Sequence, residues 1–202
     1  MGMLRWGFLG CGRIASDFAN GVKCVPNASL SACAARSHDS ADRFASTHGF
    51  KSAYGSYEQL CEDEDVDIIY VSTIHHCHKS AVLMALERGK HVLVEKPIAL
   101  TLPDTQEMVE EARGRGLFLM EAMWTRFFPA VRRARELIEA GEIGDIKAVH
   151  SDFGFVLDPD ARPYMMDPSQ GGGGLMEIGC YPIHAATMAM GTEHELTVFF
   201  CF

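Results

Sequence analysis

Residues 6–15 read Trp-Gly-Phe-Leu-Gly-Cys-Gly-Arg-Ile-Ala, and this stretch decides how the rest of the chain is interpreted. Residues 4–9 form an apolar run that predicts a short buried strand. Gly10, Gly12 and Ala15 then follow the spacing G-x-G-x-x-A. In that pattern the first glycine permits a tight turn, the second leaves room for a pyrophosphate, and the small third residue lets a helix lie close to the strand. The pattern indicates a dinucleotide site; its simpler alternative is a tight turn between a strand and a helix.

Composition indicates a globular protein that binds a small molecule. The 202 residues are 48% hydrophobic and 22% charged, which is ordinary for a folded domain. The formal net charge is -9, which argues against nucleic acid as a partner because nucleic-acid binding needs a basic surface. We therefore expect a small-molecule substrate and no nucleic-acid partner.

Cysteine usage and the absence of targeting segments predict a cytoplasmic location. The seven cysteines are an odd number without C-x-x-C pairs, so neither a disulfide framework nor a zinc ribbon is indicated. The amino terminus runs straight into the first strand, which leaves no room for a signal peptide. No apolar run approaches the roughly 20 residues that span a bilayer, so no membrane partner is predicted.

Alternating strand and helix patterns up to residue 121 predict an α/β fold with a Rossmann-type, doubly wound parallel sheet. The predicted strands lie at 4–9, 30–35, 53–54, 67–72, 91–95 and 117–121. The predicted helices lie at about 13–24, 40–48, 56–62, 79–88 and 101–115, with Ser56 and Thr101 as amino-terminal caps.

The end of the second predicted strand bears on the choice of coenzyme. In a dinucleotide fold an acidic residue there binds a ribose 2′-hydroxyl, whereas an arginine accommodates a 2′-phosphate. Residues 30–37 contain no Asp or Glu, and Arg36 lies at the strand end. The sequence therefore favours NADP over NAD; the alternative is a surface arginine that caps the strand.

Two later strand ends carry further candidate residues. Residues 73–78 hold three histidines and a cysteine, but neighbouring side chains on a turn do not converge on one ion, so we predict no metal and expect this loop to line the ligand crevice. Lys96 directly follows the fifth predicted strand, and Pro97 restricts the backbone beside it. Lys96 is either an acid–base group for a substrate hydroxyl or a solvated lysine.

The pattern changes after Met123. A helix is predicted from Ala130 to Ala140, its arginines forming a solvated face, and Trp124 and Phe127 belong either to the core or to a pocket wall. Residues 146–155 alternate like a strand of an antiparallel sheet, and residues 196–202 provide a second strand candidate.

A helix is also predicted over residues 175–190, after the glycine run 171–174. It carries Glu177, Tyr181 and His184 at the spacing i, i+4 and i+7, which places all three on one face. That polar face is either part of an active site or the solvent side.

Four motifs follow one another along the chain: Gly10-Cys-Gly-Arg-Ile-Ala15, Glu95-Lys-Pro97, Met120-Glu-Ala-Met-Trp-Thr-Arg-Phe-Phe-Pro129 and Gly172-Gly-Gly-Leu-Met-Glu-Ile-Gly-Cys-Tyr181. In this order they resemble the glucose-fructose oxidoreductase, inositol dehydrogenase and MocA family. Within that family they are most similar to the dimeric dihydrodiol dehydrogenases and the NADP-dependent D-xylose dehydrogenases.

The resemblance implies an NADP-dependent oxidoreductase that acts on a carbinol carbon of a sugar or a trans-dihydrodiol, with Lys96 and Tyr181 as catalytic residues. His78 would lie near the nicotinamide end. The full set of implied cofactor-binding residues is Gly10, Gly12, Arg13, Ile14, Ala15, Arg36, Ser37, Thr73, His78, Glu95, Lys96 and Pro97. The implied substrate-binding residues are Trp124, Arg126, Phe153 and Tyr181.

The same resemblance divides the chain into an NADP-binding domain, residues 1–123, and a substrate and dimerisation domain, residues 124–202. Relatives carry a large, mostly antiparallel sheet in the second domain, for which only two strand candidates are present here. We therefore expect a truncated α+β second domain and a homodimer only in a longer form. The alternative function is a protein that binds the cofactor but is catalytically inactive, as a fragment, an isoform or a sensor.

Overall fold

The computed structural model describes residues 2–158, 160 and 162–191. Its sheet has six strands, and every neighbouring pair is parallel. The strands are β1 Leu4–Leu9, β2 Ala28–Ala34, β3 Ser52–Tyr54, β4 Ile68–Val71, β5 His91–Val94 and β6 Leu119–Glu121. Their order in the sheet is β3-β2-β1-β4-β5-β6. This confirms the predicted Rossmann-type sheet.

Helices connect the strands as parallel pairing requires. They are α1 Arg13–Val22, α2 His38–His48, α3 Tyr57–Cys61, α4 His78–Glu87 and α5 Leu102–Gly114. The strand order reverses between β1 and β4, because β2 and β3 extend the sheet on one side and β5 and β6 on the other. In open α/β sheets the carboxyl ends of the strands at such a reversal border the ligand crevice.

The sheet is buried on both faces, which explains its near-continuous apolar strands. Successive residues of a strand point to opposite faces. Phe8 accordingly belongs to a core cluster with α1 and α2 residues, while Leu9 belongs to a second cluster with residues of α3, α4 and α5. Both side chains are completely buried.

Side-chain caps determine where three helices begin. Ser56 and Thr101 accept hydrogen bonds from the amides of Gln59 and Asp104, as predicted from the sequence. A third cap, Ser37, starts α2 at His38 rather than at the predicted residue 40, since its Oγ accepts from the amide of Ser40 at 3.4 Å. Each cap satisfies one of the amides that a helix start leaves without a partner.

The sixth strand begins two residues later than the apolar pattern predicts. The amide of Leu117 donates to the carbonyl of Ala112 at 2.9 Å, so Leu117 still belongs to the turn that ends α5. Pairing with β5 begins at Leu119, opposite Val92. The apolar pattern located the strand but not the end of the turn before it.

Residues 1–122 with 169–171 form one compact unit, and residues 123–168 with 172–202 form another. The described part of the second unit contains α6 Pro129–Glu139 and α7 Cys180–Met190, which a π-helical turn at Leu175–Gly179 precedes. The predicted helices 130–140 and 175–190 therefore both exist. None of the described helices has the length and apolarity needed to cross a lipid bilayer.

The strand predicted over residues 146–155 is wrong. The structure assigns no regular secondary structure to this segment, although its sequence alternates between apolar and polar residues. A strand exists only where a neighbour supplies hydrogen-bond partners along its length, and no described segment of the second unit pairs with this one. The other candidate strand, residues 196–202, lies outside the described residues.

Candidate functional site

The turn after β1 requires glycine at position 10. Gly10 has φ +101°, a conformation that side chains disfavour, and its amide donates to the carbonyl of Ala34 at 3.0 Å. A Cβ at this position would lie 2.8 Å from the carbonyl oxygen of Ser72, at the end of β4. The turn is thus packed closely between the ends of β2 and β4, at the point where the strand order reverses.

Gly12 differs from Gly10 because the space beside its Cα is empty of described atoms. It is the amino-terminal cap residue of α1, with no side-chain cap, and a Cβ there would have no described atom within 4 Å. The first backbone bond of the helix runs from the amide of Ser16 to the carbonyl of Gly12. The amides of Arg13, Ile14 and Ala15 therefore precede the repeating helical bonds and are oriented to bind an anion.

Ala15 occupies the third position of the G-x-G-x-x-A pattern, where a small side chain is needed. Its side chain is completely buried in the core cluster on the α1 face of the sheet. A small side chain here lets α1 approach β1 closely, which directs the helix start toward the glycine turn. The geometry of residues 10–15 thus fits a dinucleotide pyrophosphate.

Arg36 is exposed immediately beyond β2, where a 2′-phosphate would lie in a dinucleotide fold. Tyr57, the first residue of α3, is close enough to feel the charge of Arg36. Burial raises the pKa of the Tyr57 phenol, and the positive charge of Arg36 opposes that rise. Ser37, predicted to bind the cofactor, is engaged as the cap of α2, so its cofactor role stays a prediction.

Ser72, which the sequence did not single out, fixes the glycine turn from the β4 side. Its Oγ lies 3.2 Å from the carbonyl oxygen of Leu9 and 3.1 Å from that of Gly10, so its one proton has two acceptors within reach. The neighbouring Thr73 has a buried Oγ1 with no hydrogen-bond partner among the described residues. A buried hydroxyl of this kind is stabilised when a ligand supplies the missing partner, which suits the predicted role of Thr73.

The His78 side chain is buried inside the first unit and is not exposed at its surface. Its ring is completely buried, with Nδ1 2.8 Å from the carbonyl of Pro97 and Nε2 3.1 Å from the carbonyl of Thr73. Burial lowers the pKa of His78 to about 4, although both carbonyls oppose the change. His78 therefore ties the segment after β4 to the segment after β5. Its predicted contact with the nicotinamide stays a prediction, and the structure shows a positioning role.

Replacing His78 with glutamine is expected to reduce the acid sensitivity of the fold. A histidine with a folded-state pKa near 4 and an unfolded-state pKa near 6.5 binds more protons when unfolded, so it costs stability as the pH falls between those values. The full effect is about 3 kcal/mol. Urea unfolding of wild type and His78→Gln at pH 7 and pH 4 measures it, with exposed His38→Gln as the control. Equal pH dependence of wild type and His78→Gln would contradict the assignment.

The segment after β5 is held by two hydrogen bonds to one carboxylate. Tyr70 of β4 donates from its hydroxyl to Glu95 Oε1 at 2.5 Å, and the amide of Lys96 donates to Glu95 Oε2 at 3.2 Å. Burial raises the pKa of Glu95, and these two donors oppose the rise. Glu95 thus orients the backbone of Lys96, whose side chain is half-buried and whose peptide bond to Pro97 is cis.

One feature of the sequence indicates this arrangement. Tyr70 is the only aromatic residue in an otherwise aliphatic strand, β4, and it is 1% exposed. A phenol buried so completely needs a hydrogen-bond partner. Its partner, Glu95, follows the adjacent strand, so the pairing depends on strand order rather than on any local motif.

The second unit brings three of its four predicted substrate residues together. Trp124 donates from Nε1 to the hydroxyl oxygen of Tyr181 at 2.7 Å, and the ring of Phe153 meets the Tyr181 ring edge-on at 5.4 Å. Trp124 and Phe153 are each 50% exposed, so both retain surface for a ligand. Arg126 is exposed on the same 3₁₀ turn as Trp124.

The polar face of the predicted helix 175–190 is not its solvent side. Glu177 lies in the π-helical turn and is only 8% exposed. His184 is half-buried on α7, and burial lowers its pKa with help from the charge of Arg126. Tyr181 is half-buried between them. The burial of these three residues excludes the solvent-side alternative, and a place for them in an active site stays a prediction.

Within the described residues, no group of three or more His, Cys, Asp or Glu side chains is arranged to hold a metal ion. In the histidine-rich loop, the rings of His75 and His78 meet edge-on at 5.8 Å. His75 Nδ1 lies 3.4 Å from the carbonyl of Gly171, so its nitrogen faces a backbone oxygen.

Comparison with known proteins assigns this arrangement to a family. The GFO/IDH/MocA model, described as an oxidoreductase family with an NAD-binding Rossmann fold, matches residues 4–123. The chain belongs to the GFO/IDH/MocA family. The model of the GFO/IDH/MocA C-terminal domain matches residues 131–200. The family predicted from the four motifs is confirmed.

Individual members of the family are similar over nearly all of the chain. A trans-1,2-dihydrobenzene-1,2-diol dehydrogenase of Bos taurus is 44% identical over 192 residues, which cover 94% of this chain and 57% of the relative. The enzyme of the same name from Mus musculus is 42% identical over the same shares. The chain thus spans a little over half the length of these curated relatives.

Solved structures show the same relationship. KijD10, a 3-ketoreductase from Actinomadura kijaniata solved in complex with NADP and TDP-benzene, superposes with a TM-score of 0.86 and 33% identity, over 94% of this chain and 58% of that one. An NAD-binding oxidoreductase from Klebsiella pneumoniae gives a TM-score of 0.80 and 26% identity, over 94% and 54%.

Proposed function

We propose that this protein is an NADP-dependent oxidoreductase acting on a carbinol carbon of a trans-dihydrodiol or a D-xylose-like sugar. The observation that carries the proposal lies within the first unit. The glycine turn of residues 10–12 and the anchored Lys96 both lie at the carboxyl edge of one parallel sheet, beside the reversal of strand order. An anion-binding turn and an acid–base group on that edge are the two requirements of a nicotinamide-dependent dehydrogenase.

The residues of the coenzyme site fit a dinucleotide phosphate. The amides at the start of α1 would bind the pyrophosphate, and Arg36 would bind the 2′-phosphate, which supports NADP over NAD. When bound, the nicotinamide supplies the hydride acceptor or donor. NADP in the solved KijD10 complex supports the same choice of coenzyme.

We assign proton transfer to Lys96 and Tyr181. As hydride leaves the carbinol carbon, the hydroxyl proton must pass to a protein group, and in reduction it must return. The Tyr181 oxygen accepts a hydrogen bond from Trp124, which fixes the phenol and directs its own proton away from the indole. Lys96 is fixed at its backbone by Glu95 and supplies the second donor.

The substrate class follows from the relatives and from the pocket residues. The curated relatives are named trans-1,2-dihydrobenzene-1,2-diol dehydrogenases, and rings of the size of Trp124 and Phe153 suit a flat cyclic diol. Turnover of the trans-dihydrodiol and of D-xylose with NADP⁺, followed at the NADPH absorbance, tests the proposal directly. NADPH binding without turnover of either substrate would favour the alternative of a cofactor-binding protein that lacks catalysis.

Arg36→Ala is expected to weaken NADPH binding by about 10- to 100-fold while leaving NADH binding unchanged. A charge-assisted contact to a phosphate is worth about 1.5–3 kcal/mol, and only NADPH carries the 2′-phosphate. Fluorescence titration with both coenzymes measures the two affinities. Arg43→Ala is the matched control, because Arg43 lies on α2 and donates to Ser40 at the helix surface. An unchanged preference for NADPH in Arg36→Ala would refute the assignment.

A further inference from the structure

Two cysteines meet beside the glycine turn. Cys11 lies between Gly10 and Gly12 and is half-buried, whereas Cys33 lies in β2 and is completely buried. The positive φ of Gly10 bends the chain out of the line of β1, so that Cys11 Sγ lies 3.5 Å from the carbonyl of Ala34, the residue after Cys33. Both side chains join the core cluster that α1 and α2 cover. The two sulfur atoms therefore lie on the same face of the sheet.

The thiols also interact with each other. Contact with Cys33 lowers the pKa of Cys11, and contact with Cys11 together with burial raises the pKa of Cys33. The thiolate is the reactive form of cysteine, so a lowered pKa suits Cys11 to react first with an oxidant. Cys33 is then the thiol that attacks the oxidised Cys11 sulfur.

Cys61, Cys77 and Cys24 have different surroundings. Cys61 is completely buried, and burial raises its pKa to about 12. Burial also raises the pKa of Cys77. Cys24 is exposed in the turn after α1, with its Sγ 3.5 Å from the carbonyl of Asn20 in that helix. Cys11 alone among these combines partial exposure with a thiol neighbour.

We propose that Cys11 and Cys33 form a reversible disulfide when the protein meets a hydroperoxide. The Cys11 thiolate attacks the peroxide oxygen, and with hydrogen peroxide this gives a sulfenic acid and releases water once a proton is taken up. The Cys33 sulfur then attacks the Cys11 sulfur, which expels a second water molecule. In total, two thiols lose two hydrogens and one peroxide is reduced to two waters.

The consequence for the coenzyme rests on the proposed function. Forming the bond draws Cys11 toward β2, and Cys11 belongs to the turn whose backbone would face the pyrophosphate. Cys33 also loses its hydrogen bond to the carbonyl of Ala41, at 3.4 Å in the reduced protein, at the start of α2. Oxidation is therefore expected to weaken NADPH binding by about tenfold, the equivalent of one backbone hydrogen bond to a phosphate.

Mass spectrometry tests the disulfide itself. The folded chain is treated with hydrogen peroxide, alkylated and digested, and the expected product is a peptide pair linking Cys11 to Cys33 that dithiothreitol separates. Cys24→Ser should form this link as wild type does, and Cys11→Ala should not form it. A folded protein in which Cys11 and Cys33 remain unlinked, or in which Cys11 links equally to Cys24, would overturn the proposal.

Coenzyme titration tests the consequence separately. Wild type should lose about tenfold in NADPH affinity on oxidation and regain it on reduction, while Cys11→Ala should be unaffected by peroxide. NADPH binding by the reduced protein is the independent test of the proposed function. A Cys11–Cys33 link that leaves NADPH affinity unchanged would refute the effect on the coenzyme site.

Discussion

Replacing Lys96 with methionine is expected to lower kcat by about 10²- to 10⁴-fold, the usual contribution of a positioned acid–base group. Methionine keeps the length of the side chain but cannot hold or donate the proton. The backbone of residue 96 is anchored through its amide to Glu95, so the substitution leaves the turn in place. NADPH affinity is therefore expected to stay within about threefold, because the pyrophosphate site at the start of α1 is unaltered.

Steady-state kinetics with NADP⁺ and the trans-dihydrodiol, together with NADPH titration, separate these two effects. Lys51→Met is the matched control, because Lys51 is exposed just before β3, at the end of the sheet opposite the strand ends that carry the site. Tyr181→Phe should cause a loss of similar size, since it removes the phenol but keeps a ring against Phe153. Retained turnover in either Lys96→Met or Tyr181→Phe would remove that residue from the mechanism.

The first unit could be predicted closely because its determinants are local. The spacing of Gly10, Gly12 and Ala15, the apolar strands and the caps at Ser56 and Thr101 each depend on a few consecutive residues. A parallel sheet with helical crossovers follows from their alternation along the chain. These patterns specify which residues lie at the strand ends, and therefore the candidate site.

Contacts between distant segments could not be predicted in the same way. The hydroxyl of Tyr70 donates to Glu95, and the His78 ring faces the carbonyl of Pro97. Both contacts join residues that belong to or follow two different strands. They depend on β4 and β5 being neighbours. The strand predicted over residues 146–155 is wrong for a related reason. Alternation specifies which face of a strand is apolar but not whether a partner strand is present.

The glycine turn permits a sharper test, since Gly10 and Gly12 differ in what surrounds them. Gly10→Ala would place a Cβ 2.8 Å from the backbone oxygen of Ser72 in a residue with φ +101°. The neighbouring atom is backbone in a buried region, so it cannot move aside as a flexible side chain would. We expect the free energy of unfolding to fall by about 3–5 kcal/mol, the sum of backbone strain and steric overlap.

Gly12→Ala is the informative counterpart. Gly12 has φ −88°, and a Cβ there meets no described atom, so stability should stay within about 0.5 kcal/mol of wild type. The methyl group would instead occupy the space assigned to the pyrophosphate, and NADPH affinity should fall by about 100-fold. Urea unfolding should therefore show a large loss of stability for Gly10→Ala only. Fluorescence titration should show weakened NADPH binding in Gly12→Ala without a loss of stability. Wild-type NADPH affinity in Gly12→Ala would mean that the pyrophosphate lies elsewhere, whereas wild-type stability in Gly10→Ala would contradict the conformation of the turn itself.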